Sequence, residues 1–109
     1  MIHPEMAQRL VDRLCSRLPY NINVMNDAGI IIASRDPERR GTYHEAAHRI
    51  CRESLPGITI DGKQPLPKGT LPGINLAVEH NGSTIGVVGI TGEPEEISLL
   101  SETVKTAIE

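Results

Sequence analysis

The 109-residue chain is long enough for one domain with a modest core and too short for two. The charged fraction is 23% and the net charge is -3, with basic residues mixed among acids, which excludes a disordered tail and a basic DNA-binding surface. The only aromatic residues are Tyr20 and Tyr43, so platforms for stacking nucleic-acid bases are missing. No apolar run could cross a bilayer and no signal peptide is visible, so we expect a cytoplasmic protein without membrane contact.

The first third of the chain predicts an amphipathic helix and a β-hairpin. Residues 4–18 place apolar side chains at helical spacing, and Pro19 ends the pattern. Apolar and polar residues then alternate over residues 20–24. The turn sequence of residues 26–29 precedes the apolar run of residues 30–34. We therefore expect two antiparallel strands after the first helix.

A short turn and a second helix are predicted in the middle of the chain. Asp36 stands before a proline, which is typical of an N-cap, and Gly41 allows the left-handed residue that ends such a turn. Thr42 and the Glu45 three residues later form the pattern of a capping box. This pattern predicts a helix over residues 43–55.

A second hairpin is predicted after a segment rich in proline and glycine. Residues 56–73 predict a long surface loop or flap with an edge strand at residues 58–60. The apolar segments 74–78 and 84–90 are joined by an Asn-Gly turn, a strong signal for a hairpin. Glycines inside the second of these strands indicate close approach by another backbone or a ligand.

The final helix begins near Pro94 and keeps its helical spacing to Glu109. We interpret this as a chain cut from a longer protein, whose helix continues as a connector. The hairpins predict a mainly antiparallel sheet, flanked by the N- and C-terminal helices and a central helix. The expected fold is therefore α+β and PAS/Cache-like, the general build of small sensor domains, with residues 1–109 as a single domain.

The string His44-Glu45-x-x-His48 raises a metal hypothesis, because on a helix it can bind zinc with the glutamate as general base. Helical spacing would place His44, His48 and Cys51 on one face. However, no further donor is evident, and the positive start of a helix disfavours a cation. We therefore expect no metal, no other cofactor and no catalysis. A metal-binding or zinc hydrolase domain is the first alternative, and a ligand-free dimerisation module is the second.

Four segments of the chain carry the pattern of a known family. They are YNINVM (20–25), IIASRDPERRGTYHEA (31–46), PGINL (72–76) and GVVGITGEP (86–94). In this order they resemble the sugar diacid recognition domain, the N-terminal part of carbohydrate diacid regulators, which are bacterial transcription factors. Arg40 stands where that family usually has an apolar residue. The resemblance implies a sensor of glycerate or a related sugar diacid that signals to a C-terminal helix-turn-helix region absent from this chain.

The shared segments make physical sense as a pocket for a small hydroxy-carboxylate. Such a ligand needs a charged fork for its carboxylate, backbone N–H donors and neutral polar side chains for its hydroxyl groups. We expect Arg39 to supply the fork and residues 41–43 to offer N–H groups at the start of the second helix. The candidate ligand-binding residues are Ser34, Arg39, Gly41, Thr42, Tyr43, His44, Asn75 and Thr91.

The terminal helices are the expected route of the signal. Ligand binding would change the order or the orientation of these helices, and they would carry the signal to the missing region. Only that region would contact DNA. The same helices are the natural contact of a homodimer. The expected partners are thus a small hydroxy-carboxylate and a second copy of the chain.

Overall fold

The computed structural model describes all 109 residues, which form three α-helices, one short 3-10 helix and five strands. The elements are α1 (Pro4–Cys15), β1 (Asn21–Asn26), β2 (Ile31–Ser34), the 3-10 helix (Pro37–Arg39), α2 (Glu45–Glu53), β3 (Gly57–Ile60), β4 (Gly73–His80), β5 (Ser83–Thr91) and α3 (Pro94–Ile108). The strands form one antiparallel sheet in the order β2-β1-β5-β4-β3. The predicted α+β class, both hairpins and the edge strand β3 are confirmed. The helices include none that is long and apolar enough to cross a membrane.

The two hairpins meet at the centre of the sheet, where β1 pairs with β5. Asn81 and Gly82, between β4 and β5, both have positive φ values, 52° and 79°. A two-residue type I′ turn requires such values at both central positions, and its twist matches that of the flanking strands. The Asn-Gly pair therefore fixes the register of the second hairpin against which β1 then docks.

The sheet is covered on both faces. α1 and α3 pack on one face around eleven buried hydrophobic residues, while α2 packs on the other face around only six. The smaller core follows from the sequence of the strands, because only half of the second face is apolar. The residues of this smaller core are Met25, Ile31, Ala47, Ile50, Ala77 and Val87.

The predicted capping box at Thr42 is wrong, and α2 begins two residues later than expected. Gly41 has the predicted left-handed conformation, with φ 84°, and residues 42–44 then run beside β2. The amide of Gly41 donates to the Ile31 carbonyl, and the amide of Ile31 donates to the Thr42 carbonyl. Thr42 Oγ1 donates to the Arg39 carbonyl at 2.6 Å. These contacts outweigh the local capping signal, so the N-cap passes to His44.

Two predicted helix ends are also too late. α1 ends at Cys15 and not at residue 18, although the amide of Leu18 still donates to the Leu14 carbonyl in a final turn. α2 ends at Glu53, followed by Ser54 in the left-handed conformation with φ 53°. The proline after Leu55 disfavours a helical conformation there, which ends α2 before residue 55.

Candidate functional site

The face of the sheet that α2 covers changes from apolar to polar along the strands. Residues paired in an antiparallel ladder share a face, and every second residue of a strand returns to it. Beneath α2, one row joins Met25, Val87 and Ala77. The next two rows on this face hold the polar and glycine residues Ser34, Asn23, Gly89, Asn75, Asn21, Thr91 and Gly73. These seven residues are called the polar end of the sheet.

Gly89 lies at the centre of the polar end, the floor of the candidate site. It pairs with Asn23 on one side and with Asn75 on the other. A Cβ atom at Gly89 would lie 2.5 Å from Asn75 Oδ1 and 3.2 Å from Met25 Cε, so these side chains cover the glycine and leave no room for a larger residue. The close approach predicted at the glycines of β5 is made here by side chains, and at Gly86 by the Met25 carbonyl.

The polar side chains of this floor are buried and only partly hydrogen-bonded. Asn23, Ser34 and Asn75 are at most 3% exposed. Ser34 Oγ donates to Asn23 Oδ1 at 2.6 Å, and Asn75 Nδ2 donates to the Ile58 carbonyl at 3.3 Å. Asn21 Oδ1 is buried without any partner. Because buried polar atoms rarely lack partners, the floor offers capacity for a polar ligand.

The connection between β3 and β4, residues 61–72, is held against the start of α2. The amide of Glu45 donates to the Lys68 carbonyl at 2.9 Å, and the amide of Lys68 donates to Glu45 Oε2 at 2.7 Å. Arg39 Nη2 donates to the Gly69 carbonyl at 2.8 Å. These bonds tie the predicted flap to both the 3-10 helix and α2.

The path of this connection covers the polar end. It leaves β3 at one edge of the sheet and reaches the start of α2, which lies beside β2 at the other edge because the amide of His44 donates to the Gly29 carbonyl. It then returns to Gly73 in β4, and the Pro72 carbonyl accepts from the amide of Gly92 at the end of β5. Residues 61–72 thus pass over the polar end on the side of the sheet that α2 occupies.

Arg39 has one guanidinium nitrogen without a partner. Its Nη2 is bonded to Gly69, whereas its Nη1 is buried and makes no hydrogen bond. Thr70 Oγ1, in the connection that Arg39 contacts, is also buried without a partner. A buried donor on a charged group is costly when it stays unpaired. A carboxylate bound at Nη1 would remove this penalty and gain a charge-assisted hydrogen bond.

His44 is a neutral hydrogen-bond donor beside Arg39. Its Nδ1 accepts from the amide of Ala47 at 3.1 Å as the N-cap of α2, which assigns the ring proton to Nε2. Burial, and then the positive charge of Arg39, lower the pKa of His44 from 6.5 to about 4. The ring therefore stays uncharged at neutral pH, and Arg39 is the charged group of the pair.

The remaining predicted residues lie outside the polar end or are already bonded. Gly41 and Thr42 are exposed, and their amides donate to the carbonyls of Ile31 and Arg39. The prediction that these two residues offer free N–H groups is therefore wrong. Tyr43 is half-buried, and its hydroxyl is 2.7 Å from His48 Nδ1. In contrast, Ser34, Asn75 and Thr91 lie on the floor of the polar end, on the separate strands β2, β4 and β5.

Asn21 and Asn23 also lie at the polar end, and Thr70 lies in the connection that Arg39 contacts, but none of the three is among the predicted residues. In the sequence the two asparagines alternate with apolar residues, which is also the pattern of a strand with one side facing water. The signal that distinguishes them is the position of β1 in the sheet, since β1 lies between β2 and β5 and is covered on both faces. Thr70 stands in an irregular connection, where no periodicity marks burial.

The His44-Glu45-x-x-His48 string does not form a metal-ligand cluster. No group of three or more His, Cys, Asp or Glu side chains could hold a metal ion. The Nδ1 atoms of both histidines are hydrogen-bonded, and the Glu45 carboxylate accepts from Lys68. Cys51 is a free, half-buried thiol whose pKa is raised by burial and then by Asp27.

A separate cavity of about 510 Å³ lies between the start of α1 and the end of α3. Eight of its eleven lining residues are hydrophobic, including Met6, Leu10 and Ile85. It has no arginine, so it lacks the charged fork that a carboxylate prefers. The cavity is therefore a poor candidate for the binding of a small acid.

The comparison with protein families gives one match over nearly the whole chain. The family model described as "Putative sugar diacid recognition" matches residues 2–109. The Carbohydrate diacid regulator of Escherichia coli (strain K12) is 38% identical over 103 residues, which cover 92% of this chain and 26% of that protein.

Two further relatives match to a similar extent. An uncharacterized protein of Haemophilus influenzae is 35% identical, covering 94% of this chain and 28% of that protein. The uncharacterized protein YsfB of Bacillus subtilis (strain 168) is 30% identical, covering 99% of this chain and 29% of that protein. The chain thus spans less than a third of the length of each of these relatives.

The lowered pKa of His44 predicts how stability depends on pH. Between pH 6.5 and about 4 the unfolded chain holds a proton on this ring that the folded chain excludes, so the free energy of unfolding falls as the pH falls through this window. The shift corresponds to about 3 kcal/mol. The variant His44→Asn keeps an N-cap but cannot titrate there. Urea unfolding at several pH values should show that the free energy of unfolding falls more steeply with falling pH in the wild type than in His44→Asn. Parallel plots of this free energy against pH for the two proteins would contradict the prediction.

Proposed function

The chain belongs to the sugar diacid recognition family, and from this premise we propose that it is the ligand-sensing domain of a bacterial transcriptional regulator. Its ligand is glycerate or a related sugar acid or diacid, held at the polar end of the sheet. The name of the Escherichia coli relative supports the regulatory role. The observation that carries the proposal is the buried Nη1 of Arg39, which lacks a hydrogen-bond partner.

The proposed binding mode uses one charged contact and several neutral ones. The carboxylate accepts from Arg39 Nη1, and His44 Nε2 supplies a second donor nearby. The hydroxyl groups of the ligand exchange hydrogen bonds with Asn75, Asn21 and Thr91, whose side chains can both donate and accept. The oxygen Asn21 Oδ1 is free to accept such a bond, since it has no partner. Ser34 then has a supporting role, because its hydroxyl already bonds Asn23 and the amide of Asp36.

The count of charges favours a ligand with one carboxylate. Arg39 is a permanent cation, whereas the low pKa of His44 leaves that ring neutral. The floor itself contributes only Asn, Ser, Thr and Gly residues. A second carboxylate would be buried there without a cation, which costs several kcal/mol by rough estimate. We therefore rank glycerate above glucarate and galactarate.

Entry of the ligand requires residues 61–72 to move. The bonds from Glu45 and Arg39 hold this connection over the site, so it opens only when they break. A bound acid would bridge Arg39 and the floor and so favour the closed arrangement. Ligand occupancy and closure are then coupled, as in other binding proteins with covering loops.

The wider context of the domain is part of the same proposal. Residues 1–109 act as one PAS/Cache-like domain in the cytoplasm, without catalysis or a cofactor, and DNA is bound by a region outside this chain. A homodimer forms through α1 and α3. Their exposed apolar residues support this arrangement, since Met6 on α1 is 62% exposed and Leu99 on α3 is 82% exposed.

A thermal-shift series tests the proposed function directly. The domain is heated with glycerate, tartrate, glucarate, galactarate or zinc at millimolar concentration. A ligand that binds only the folded chain stabilises it by about 2.7 kcal/mol when present at a hundred times its Kd. We expect glycerate to raise Tm and zinc to leave it unchanged. No response to any acid from a folded sample would defeat the sensor proposal, and a response to zinc alone would favour the metal alternative.

Arg39 and its neighbour Arg40 form a matched pair for calorimetry. Arg40 is exposed and makes no ion pair or side-chain hydrogen bond, whereas Arg39 has a buried nitrogen without a partner. A hydrogen bond to a charged group contributes about 1.5–3 kcal/mol, so Arg39→Met should weaken glycerate binding about 10- to 100-fold. Arg40→Met should leave Kd nearly unchanged. Equal effects of the two substitutions would place the carboxylate elsewhere.

A further inference from the structure

Gln8 on α1 holds both backbone groups of Ser34, the last residue of β2. Its Nε2 donates to the Ser34 carbonyl at 2.9 Å, and its Oε1 accepts from the Ser34 amide at 2.9 Å. The Nε2 also donates to Asp12 Oδ1 at 2.8 Å. The side-chain amide therefore satisfies the open edge of β2 in place of another strand. Its orientation is fixed, because only the oxygen can accept from an amide N–H.

The side chain of Ser34 reaches the opposite face of the sheet, in the polar end. Ser34 Oγ donates to Asn23 Oδ1 and accepts from the amide of Asp36 at 3.0 Å. The Asp36 carbonyl in turn accepts from the amide of Arg39 at 3.1 Å. A continuous series of hydrogen bonds thus runs from Arg39 through Asp36 and Ser34 to Gln8 on α1.

The C-terminal end of β2 has fewer strand contacts than its start, where Ile31 bonds Gly41 and Thr42. The strand lies at the edge of the sheet and pairs with β1 through only three residues. Its register is interrupted opposite the Val24–Met25 step, where Ile32 is left as an extra residue. Such a bulge disrupts the ladder and loosens the pairing of the strand that contains it. A displacement of Arg39 can therefore move the end of β2 without breaking the centre of the sheet.

We propose that Gln8 transmits occupancy of the polar end to α1. An acid bound at Arg39 displaces the 3-10 helix, the end of β2 follows, and the paired hydrogen bonds of Gln8 carry this displacement to the helix. The proposal rests on the proposed function, because the ligand is the source of the displacement. Gln8 is a positioning residue that does not touch the ligand. By reciprocity, a change at Gln8 must alter ligand affinity as well.

Hydrogen exchange with D-glycerate as the probe tests this role. Gln8→Met keeps the length of the side chain and removes its hydrogen bonds, and Arg9→Met alters the adjacent exposed residue, which has no hydrogen bond. In the wild type and Arg9→Met, glycerate should slow exchange in both α1 and residues 36–39. In Gln8→Met the slowing of residues 36–39 should remain, that of α1 should vanish, and Kd should change about fivefold. Undiminished slowing of α1 in Gln8→Met would overturn the proposal.

A measurement without ligand separates this proposal from the proposed function. Arg39→Met keeps the backbone amide that bonds Asp36 but removes the side-chain bond to Gly69 that holds the 3-10 helix. It should therefore change the exchange rates of α1 in the wild type but not in Gln8→Met. Equal changes in both backgrounds would refute the coupling even if glycerate binds. Gln8→Glu provides the same comparison if Gln8→Met does not fold, because it keeps the acceptor for the Ser34 amide and loses the donor. Absence of glycerate binding together with a clear coupling would refute only the proposed function.

Discussion

Buried polar groups need hydrogen-bond partners, and this constraint organises one whole face of the sheet. β1 and β5 are central strands, and Asn23, Asn75 and Ser34 on the α2 face are at most 3% exposed, so bulk water cannot solvate them. An apolar helix that covered them would leave their polar atoms without hydrogen bonds, which would destabilise the fold. α2 therefore covers only the apolar rows, and a polar connection closes over the remainder. Arg39 Nη1, Asn21 Oδ1 and Thr70 Oγ1 remain buried without hydrogen-bond partners.

The local sequence around the start of α2 serves this arrangement in two ways. Glu45 holds residues 61–72 through its side chain and its amide, and His44 caps the helix while keeping a neutral N–H group next to Arg39. The same residues that spell a zinc motif therefore act as a cap and an anchor. These residues have structural roles because of contacts with neighbours that are distant in sequence, above all Lys68.

Patterns that are local in sequence could be predicted, and those that depend on the sheet order could not. Some signals act only on adjacent residues, and the elements predicted from them are present. They are the Asn-Gly turn, the prolines in the first turn of the helices and the glycines of β5. Thr42 carries a strong capping signal, yet its segment is extended because it bonds β2. Asn23 alternates with apolar residues as an outward-facing residue would, and only the pairing of β1 with β5 buries it. Asn75 could be predicted because a polar residue inside an apolar strand is itself unusual.

The central claim is that a small acid binds at the polar end, between Arg39 and the asparagines of the floor. Nuclear magnetic resonance of the side-chain N–H groups during a D-glycerate titration tests it most directly. We expect the Arg39 guanidinium and Asn75 amide signals to shift together and the His44 Nε2–H signal to become protected from exchange. Shifts confined to the apolar cavity, around Ile85 and Ala107, with these three signals unchanged, would contradict the account.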